Sequence, residues 1–430
     1  MKTFKKIILL TFIFLNFIFV QHLNIITATT TNIKNDKLNI YSKSAILTDF
    51  ESGSILFEKN IDAKVFPAST TKILTAILVI ENLNLNDKIV VTNRAIYSTP
   101  VGSSIIYLKP GEVLSVEDLL YGLLLNSGND AANVLAESVS DNIPSFIELI
   151  NTKLKEIGCN NTNFTNAHGF HDKNHYTTAR DMSIIFNYCM KNETFKKIIE
   201  TKEYVIKKTN KFNERKLINT NKLLDIKSQA MYYEYALGGK TGYTEEANGT
   251  FVGYAKKDDK QLLSCVFDSS QNINGKEGRF LDTKTLFEYG FNNFYKEKVL
   301  DKNNFTFKII DKSNSKVHII KLKDDIYSLV KTNTVIINYK LDIFNTLYQN
   351  SNIIPGTIIG KADISLNGDG VNLKSNYELD YINSYNSLSL KKSYKFILTF
   401  ILFISLSLLL IFKHKLNAKK NKRKGKKIHI

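Results

Sequence analysis

The sequence predicts an α+β fold, followed by a small all-β region and one membrane-spanning helix near the C-terminus. Three observations carry this. As far as Phe294, strand-like segments at 45–58 and 250–267 flank a group of helix-period segments, with one more helix at 279–291, the segregated order of α+β proteins rather than the alternation of α/β ones. Beyond Phe294 the chain holds short β-type stretches separated by Asn, Asp and Gly turns. Residues 396–412 form an apolar run, of spanning length when counted from Tyr394, with lysines on both sides.

The 430 residues, 43% hydrophobic and 11% aromatic, can fill a large domain and a smaller one, and exclude a disordered chain. A formal charge of +17 would ordinarily suggest nucleic acid or an anionic membrane as partner. Its placement points elsewhere. Lys2, Lys5 and Lys6 open the chain, Lys391, Lys392 and Lys395 precede the apolar run, and a cluster from Lys413 to Lys427 follows it. Neither terminal segment carries an acid, so the body is close to neutral and nucleic acid is not expected as a partner.

Residues 1–28 read as a secretory signal peptide, with a lysine n-region, an apolar stretch over 7–20 and a loosely defined cleavage point near Ala28 or Thr30. An uncleaved N-terminal anchor is the alternative. Residues 394–412 are expected to span the membrane once, and the basic tail 413–430 to be cytoplasmic by the positive-inside rule. The body would then be extracytoplasmic, at the cell membrane. Between these ends the sequence divides into a larger domain over 38–298 and a β-rich domain over 299–385. Cys159, Cys189 and Cys265 are widely spaced, which argues for buried thiols rather than a disulfide framework.

In chain order, 45–50 and 55–58 predict a hairpin about a turn at 51–54. Pro67 and Ser69 then precede an apolar run (Ile73, Leu74, Ile77, Leu78, Ile80), a helix start. Ser115 begins another helix, with Asp118 placed for an approximate capping box. That helix is interrupted at Asn126-Ser127-Gly128-Asn129, so Ser127 and Asn129 are expected on a short loop before helical sequence resumes at Asp130. A helix over 144–157 closes at Gly158, and a polar loop over 166–175 leads to a helix start at Thr178. His168, His171 and His175 in that loop invite a metal reading, but with only Asp172 beside them a loop held by ordinary hydrogen bonds is expected, and no metal or other cofactor. Residues 250–255 and 261–267 predict a second hairpin, and 279–291 a helix ending near Gly290.

The chemistry gathers at 66–83. Ser69 and Lys72 stand three apart, so the amine would lie beside the hydroxyl on one helix face. A serine becomes nucleophilic when a neighbour takes its proton, and a lysine can do so once burial and nearby positive charge lower its pKa. Helix-start N–H groups could meet a developing oxyanion. The spacing alone is weak, since Ser313–Lys316, Ser328–Lys331 and Ser389–Lys392 share it. Its company is what separates it. Ser69-Thr70-Thr71-Lys72, Ser127-Gly128-Asn129 and Lys240-Thr241-Gly242 follow in that order, and the last opens a strand-rich segment.

This trio, with 53–60 leading into Pro67-Ala68-Ser69 and with Asn219-Thr220-Asn221-Lys222, resembles the low-molecular-mass penicillin-binding proteins, the serine D-alanyl-D-alanine carboxypeptidases. The resemblance covers roughly 40–294, and the region after it is similar to the small β domain that often follows in that family. It implies a β-lactamase/transpeptidase-like domain, an antiparallel sheet flanked by helices, acting on peptidoglycan stem peptides ending in D-Ala-D-Ala and acylated by β-lactams. By the same resemblance Ser69 would be the nucleophile, Lys72 its base and Ser127 a proton relay to the leaving amine. Asn129 would hold Lys72 and the substrate amide. Lys240, Thr241 and Gly242 with Tyr243 would bind substrate, Lys240 also depressing the pKa of Lys72, and the N–H groups of Ser69 and Tyr243 would form the oxyanion hole.

Three other readings use the same residues. A class A β-lactamase needs a deacylating glutamate on a loop after the middle motif, whereas Glu148 and Glu156 fall on a predicted helix and 161–174 holds no Glu. A DD-endopeptidase or transpeptidase would differ only in acceptor. A non-catalytic, penicillin-sensing wall protein would have no need of the serine–lysine pair.

Overall fold

The computed structural model describes residues 38–270, 273–311, 316–331, 335–344, 353–368 and 371–386. The expected signal peptide, membrane helix and basic tail lie outside the described residues. Among the described residues no helix is long and apolar enough to cross a membrane.

Strand β1 (Ser44–Asp49) is buried at every position and forms the predicted hairpin with β2 (Ile55–Lys59). A 3-10 turn at Ala68–Thr71 leads into α1 (Lys72–Asn82), whose residues from Lys72 to Val79 are all buried. A helix apolar on every side belongs inside a fold, and Ile73, Leu74 and Ile77 sit in the main core with Leu120, Leu135 and Phe186. A small ribbon, β3 (Lys88–Val90) with β4 (Val113–Ser115), encloses α2 (Asn93–Tyr97) in sequence. The next helices are α3 (Val116–Leu124), α4 (Asn129–Ser140), α5 (Ile143–Glu156), α6 (Ala179–Met190) and α7 (Glu193–Glu200). Their starts are written in side chains: the Ser115–Asp118 capping box, and N-caps from Asn142, Thr178 and Asn192 that each accept a backbone N–H.

A second ribbon, β5 (Glu203–Ile206) with β6 (Arg215–Ile218), precedes the return to the main sheet through β7 (Ala236–Thr244), β8 (Asn248–Lys257) and β9 (Lys260–Ser269). The sheet is antiparallel in the order β2-β1-β9-β8-β7, which leaves β7 as an edge strand. Helix α8 (Gly278–Asn293) packs on β9 and β8. The sequence ended this helix near Gly290, and the structure carries it through. A Cβ on Gly290 would stand 2.7 Å from Leu262 Cδ1 and 2.9 Å from Leu47 Cδ2, so the glycine marks a close helix–sheet approach, not a stop.

The β-rich part begins with β10 (Tyr295–Leu300), which runs across residue 298. It continues with β11 (Thr306–Asp311), β12 (Lys316–Leu322), β13 (Ile326–Val330), β14 (Val335–Ile343), β15 (Ile358–Gly368) and β16 (Val371–Asn386). β10 pairs with β13, and the other five form a sheet in the order β11-β12-β16-β15-β14. Leu300, Ile320, Leu322, Ile359 and Leu379 are among its core residues. Strand β13 meets the first hairpin through polar contacts, Ser328 lying 2.7 Å from Ser54 and 3.1 Å from Ser52 between hydroxyl oxygens. That buried seat removes Ser328–Lys331 as a rival serine–lysine pair.

Candidate active site

The local geometry of the Ser69 turn is fixed by its own hydroxyls. Thr70 donates to the Pro67 carbonyl (2.7 Å) and Thr71 to the Ala68 carbonyl (2.9 Å), and Ala68 is held at φ +47°. Ser69 therefore sits on a tight turn just before α1 rather than within it, and Lys72 is the first α-helical residue.

The Lys72 amine has three neighbours, the Ser69 hydroxyl at 2.9 Å, the Asn129 carboxamide oxygen at 2.6 Å and the His168 carbonyl at 2.6 Å. The last two can only accept. A neutral amine carries two N–H bonds and one lone pair, so when its hydrogens serve Asn129 and His168 the lone pair is left for the Ser69 O–H. Burial holds the lysine well below its ordinary pKa. Lys240 lowers it further, and Asp130 opposes both.

Ser127 and Asn129 come from the α3–α4 junction. Ser127 adopts φ +61°, and Asn129 opens α4, one residue earlier than expected. Asp130 anchors this junction, its carboxylate accepting from the backbone N–H groups of Ile106, Leu108 and Ala131. Asn129 N–H donates to the Ser104 carbonyl (2.7 Å), which fixes Ser103–Ser104 as one wall of the cleft. The edge strand β7 supplies the facing wall, since a Cβ on Gly242 would lie 2.9 Å from the Ser69 amide nitrogen. Lys240 is fully buried and donates to the Thr241 carbonyl (3.0 Å). Its pKa is lowered to about 7 by burial and then by Arg279. Ser69, Ser127, Asn129, Thr241, Gly242 and Tyr243 together line a cleft of about 630 Å³.

All eight residues singled out in the sequence thus lie in or directly beneath one cleft, with a buried amine against a serine hydroxyl and a second cation below. The family model for D-alanyl-D-alanine carboxypeptidase (peptidase S11) matches residues 29–271. The chain belongs to this carboxypeptidase family. The D-alanyl-D-alanine carboxypeptidase DacF of Bacillus subtilis is 34% identical over 287 residues, covering 65% of this chain and 70% of that protein. The DacA carboxypeptidase of Haemophilus influenzae is 29% identical over 339 residues, covering 77% and 83%. Among solved structures, penicillin binding protein 5 from Haemophilus influenzae is 28% identical with a TM-score of 0.63, covering 82% of this chain and 99% of that one. The Streptomyces K15 DD-transpeptidase is 32% identical with a TM-score of 0.55, covering 60% and 99%.

In this carboxypeptidase the histidine loop is a brace. Thr71 already donates to Ala68, so His175 Nε2–H donates to the Thr71 hydroxyl (2.8 Å) while its Nδ1 accepts from Thr165 N–H (3.0 Å). Burial holds both His168 and His175 near a pKa of about 3. Gly169, at φ +85°, passes so close to the Ser69 turn that a Cβ would overlap the Ala68 carbonyl. Among the described residues no group of three or more His, Cys, Asp or Glu is gathered as a metal would require. Glu148 and Glu156 lie on α5. Cys159, Cys189 and Cys265 are buried, free thiols.

Sequence reasoning missed Arg279, Thr220 and the His168 carbonyl. Arg279 lines the cleft and donates to the Gly242 carbonyl (2.8 Å), yet in sequence it is only the start of a helix. Thr220, whose hydroxyl lies 2.6 Å from that of Thr241, does carry a sequence signal, since it belongs to Asn219-Thr220-Asn221-Lys222. A backbone carbonyl as a lysine partner leaves no sequence signal at all.

Proposed function

We propose that Ser69 removes the terminal D-alanine from peptidoglycan stem peptides through an acyl-enzyme. The observation that carries this is the Lys72 amine set between two acceptors with the Ser69 hydroxyl as its third neighbour. Ser69 Oγ attacks the carbonyl carbon between the two D-alanines while its proton passes to the Lys72 lone pair. The carbonyl oxygen, now an oxyanion, is met by the backbone N–H groups of Ser69 and Tyr243. As the tetrahedral centre collapses, the C–N bond breaks and the leaving amine takes a proton from the Ser127 hydroxyl, which is reprotonated from Lys72. Water then attacks the ester, returns its proton through Lys72 and releases the shortened stem.

Asn129 keeps its oxygen on Lys72 and thereby turns its NH₂ to the substrate amide. The substrate's terminal carboxylate meets Thr241 and Arg279, which line one side of the cleft, with the Lys240 cation buried beneath them. A β-lactam presents the same carbonyl and carboxylate and is held as a slowly hydrolysed ester. The lysine-flanked run over 394–412 and the basic tail support a single-pass anchor with this domain outside the cell membrane, where peptidoglycan lies. Protease added to intact cells should digest the body and spare a tag placed on the tail.

The reaction is tested by incubating the purified protein with a peptide ending in D-Ala-D-Ala. The expected result is stoichiometric release of D-alanine, blocked by prior exposure to penicillin. A folded protein that releases no D-alanine would contradict the assignment.

A further inference from the structure

Arg279 and Lys222 share one carboxylate. Glu277, the residue before α8, takes Lys222 Nζ on Oε1 and Arg279 Nη2 on Oε2. The other arm of the guanidinium, Nη1, holds the Gly242 carbonyl on β7. Lys222 belongs to the segment that also places Thr220 against Thr241. This segment is therefore tied to the strand bearing Lys240-Thr241-Gly242 and, through Glu277, to the guanidinium in the cleft.

The charges favour an anion. Glu277 alone would cancel Arg279, and Lys222 returns the trio to one net positive charge. Burial pushes the Glu277 carboxyl upward, but Arg279 and Lys222 together bring it below its ordinary value, so it stays ionised. Arg279 Nε–H is buried without an acceptor among the described residues. A buried donor left unpaired is costly until a ligand supplies an oxygen, and the residue lines the cleft.

We infer that Glu277, braced by Lys222, is a positioning residue that holds the Arg279 guanidinium against β7 and so sets the preference for a substrate ending in a free carboxylate. The inference rests on the reading of Ser69 as acylated by a D-alanine-terminated peptide. It separates two jobs within one cleft, since the Lys72 side governs bond making and the Glu277 trio governs which chain end is admitted.

The test measures kcat and KM of the full-length purified chain on two peptides, one ending in D-Ala-D-Ala and the other in its C-terminal amide. Glu277→Gln should raise KM for the acid peptide about tenfold and leave kcat within about twofold, lowering the acid-over-amide preference about tenfold. Lys222→Met, at a half-exposed site where folding is not at stake, should lower that preference about threefold, with the loss shrinking in high salt. An unchanged preference in both variants overturns the inference, as does an equal fall in kcat on both peptides. If wild type turns over neither peptide, the acyl-transfer reading fails and the inference falls with it.

Discussion

The Asn129 carboxamide oxygen and the Lys72 amine lie 2.6 Å apart, and this contact orients the lysine lone pair. Asn129→Ala removes one of the two acceptors that hold the N–H bonds away from Ser69. Acylation by a chromogenic β-lactam should slow about 10²-fold, the scale of a misplaced proton acceptor. Far-UV circular dichroism should be unchanged.

The pH profile follows from two lysines that share one region. Lys72 must be neutral to accept a proton, so acylation rises with pH as it deprotonates. Lys240 must be charged to hold the carboxylate, so binding weakens as pH passes about 7. Besides Lys240, the charged or titratable groups facing Lys72 are Asp130, His168 and His175, and both histidines stay neutral above about pH 5. Lys240→Gln removes a cation that depresses Lys72, so the acid limb of the acylation profile should move to higher pH. The limbs belong to the coupled pair rather than to either residue alone.

Acid should unfold the catalytic domain by way of the histidine brace. His168 and His175 have folded pKa values of about 3 against an ordinary 6.5, so the unfolded chain binds more protons between these values. Their contribution is whole above pH 6.5 and is lost as pH falls towards 3. Each should cost about 2 kcal/mol of stability between pH 6.5 and about 5. Urea midpoints measured across this range should show the fall in wild type and a flatter slope in His175→Gln.

Gly242 marks where β7 meets the nucleophile turn. A Cβ there would stand 2.3 Å from Thr250 Oγ1 and 2.9 Å from Ser69 N. Gly242→Ala must displace the strand edge from the turn, and acylation should fall by about 10²–10³, the scale of a lost oxyanion donor. The melting temperature reports whether the fold survives, and an active, folded variant would contradict this geometry.

Much of the catalytic half was legible because its signals are local. The Ser115–Asp118 box, the Thr178 cap and the Gly158 stop each act within a turn or two, and each lies where expected. The motif residues were legible because acyl transfer needs particular side chains, and because their order along the chain resembles that of the penicillin-binding proteins. What escaped depends on distant partners. Strand β16, with four Asn and two Ser among its 16 residues, is weakly marked as a strand and forms because β15 and β12 pair along it. Gly290 read as a stop because its reason, the methyls of Leu47 and Leu262, lies far off in sequence. Arg279 reads in sequence as an ordinary helix start and Glu277 carries no signal of its own, and their role depends on Gly242 and Lys222 being brought to them.

The most direct measurement is the site of covalent attachment. After brief exposure to penicillin, tryptic mass mapping should place the adduct on the peptide 65–72, which holds Ser69. The same treatment of Ser69→Ala should leave that peptide and the rest of the chain unmodified. An adduct on any other peptide, or equal labelling of the alanine variant, would contradict the account.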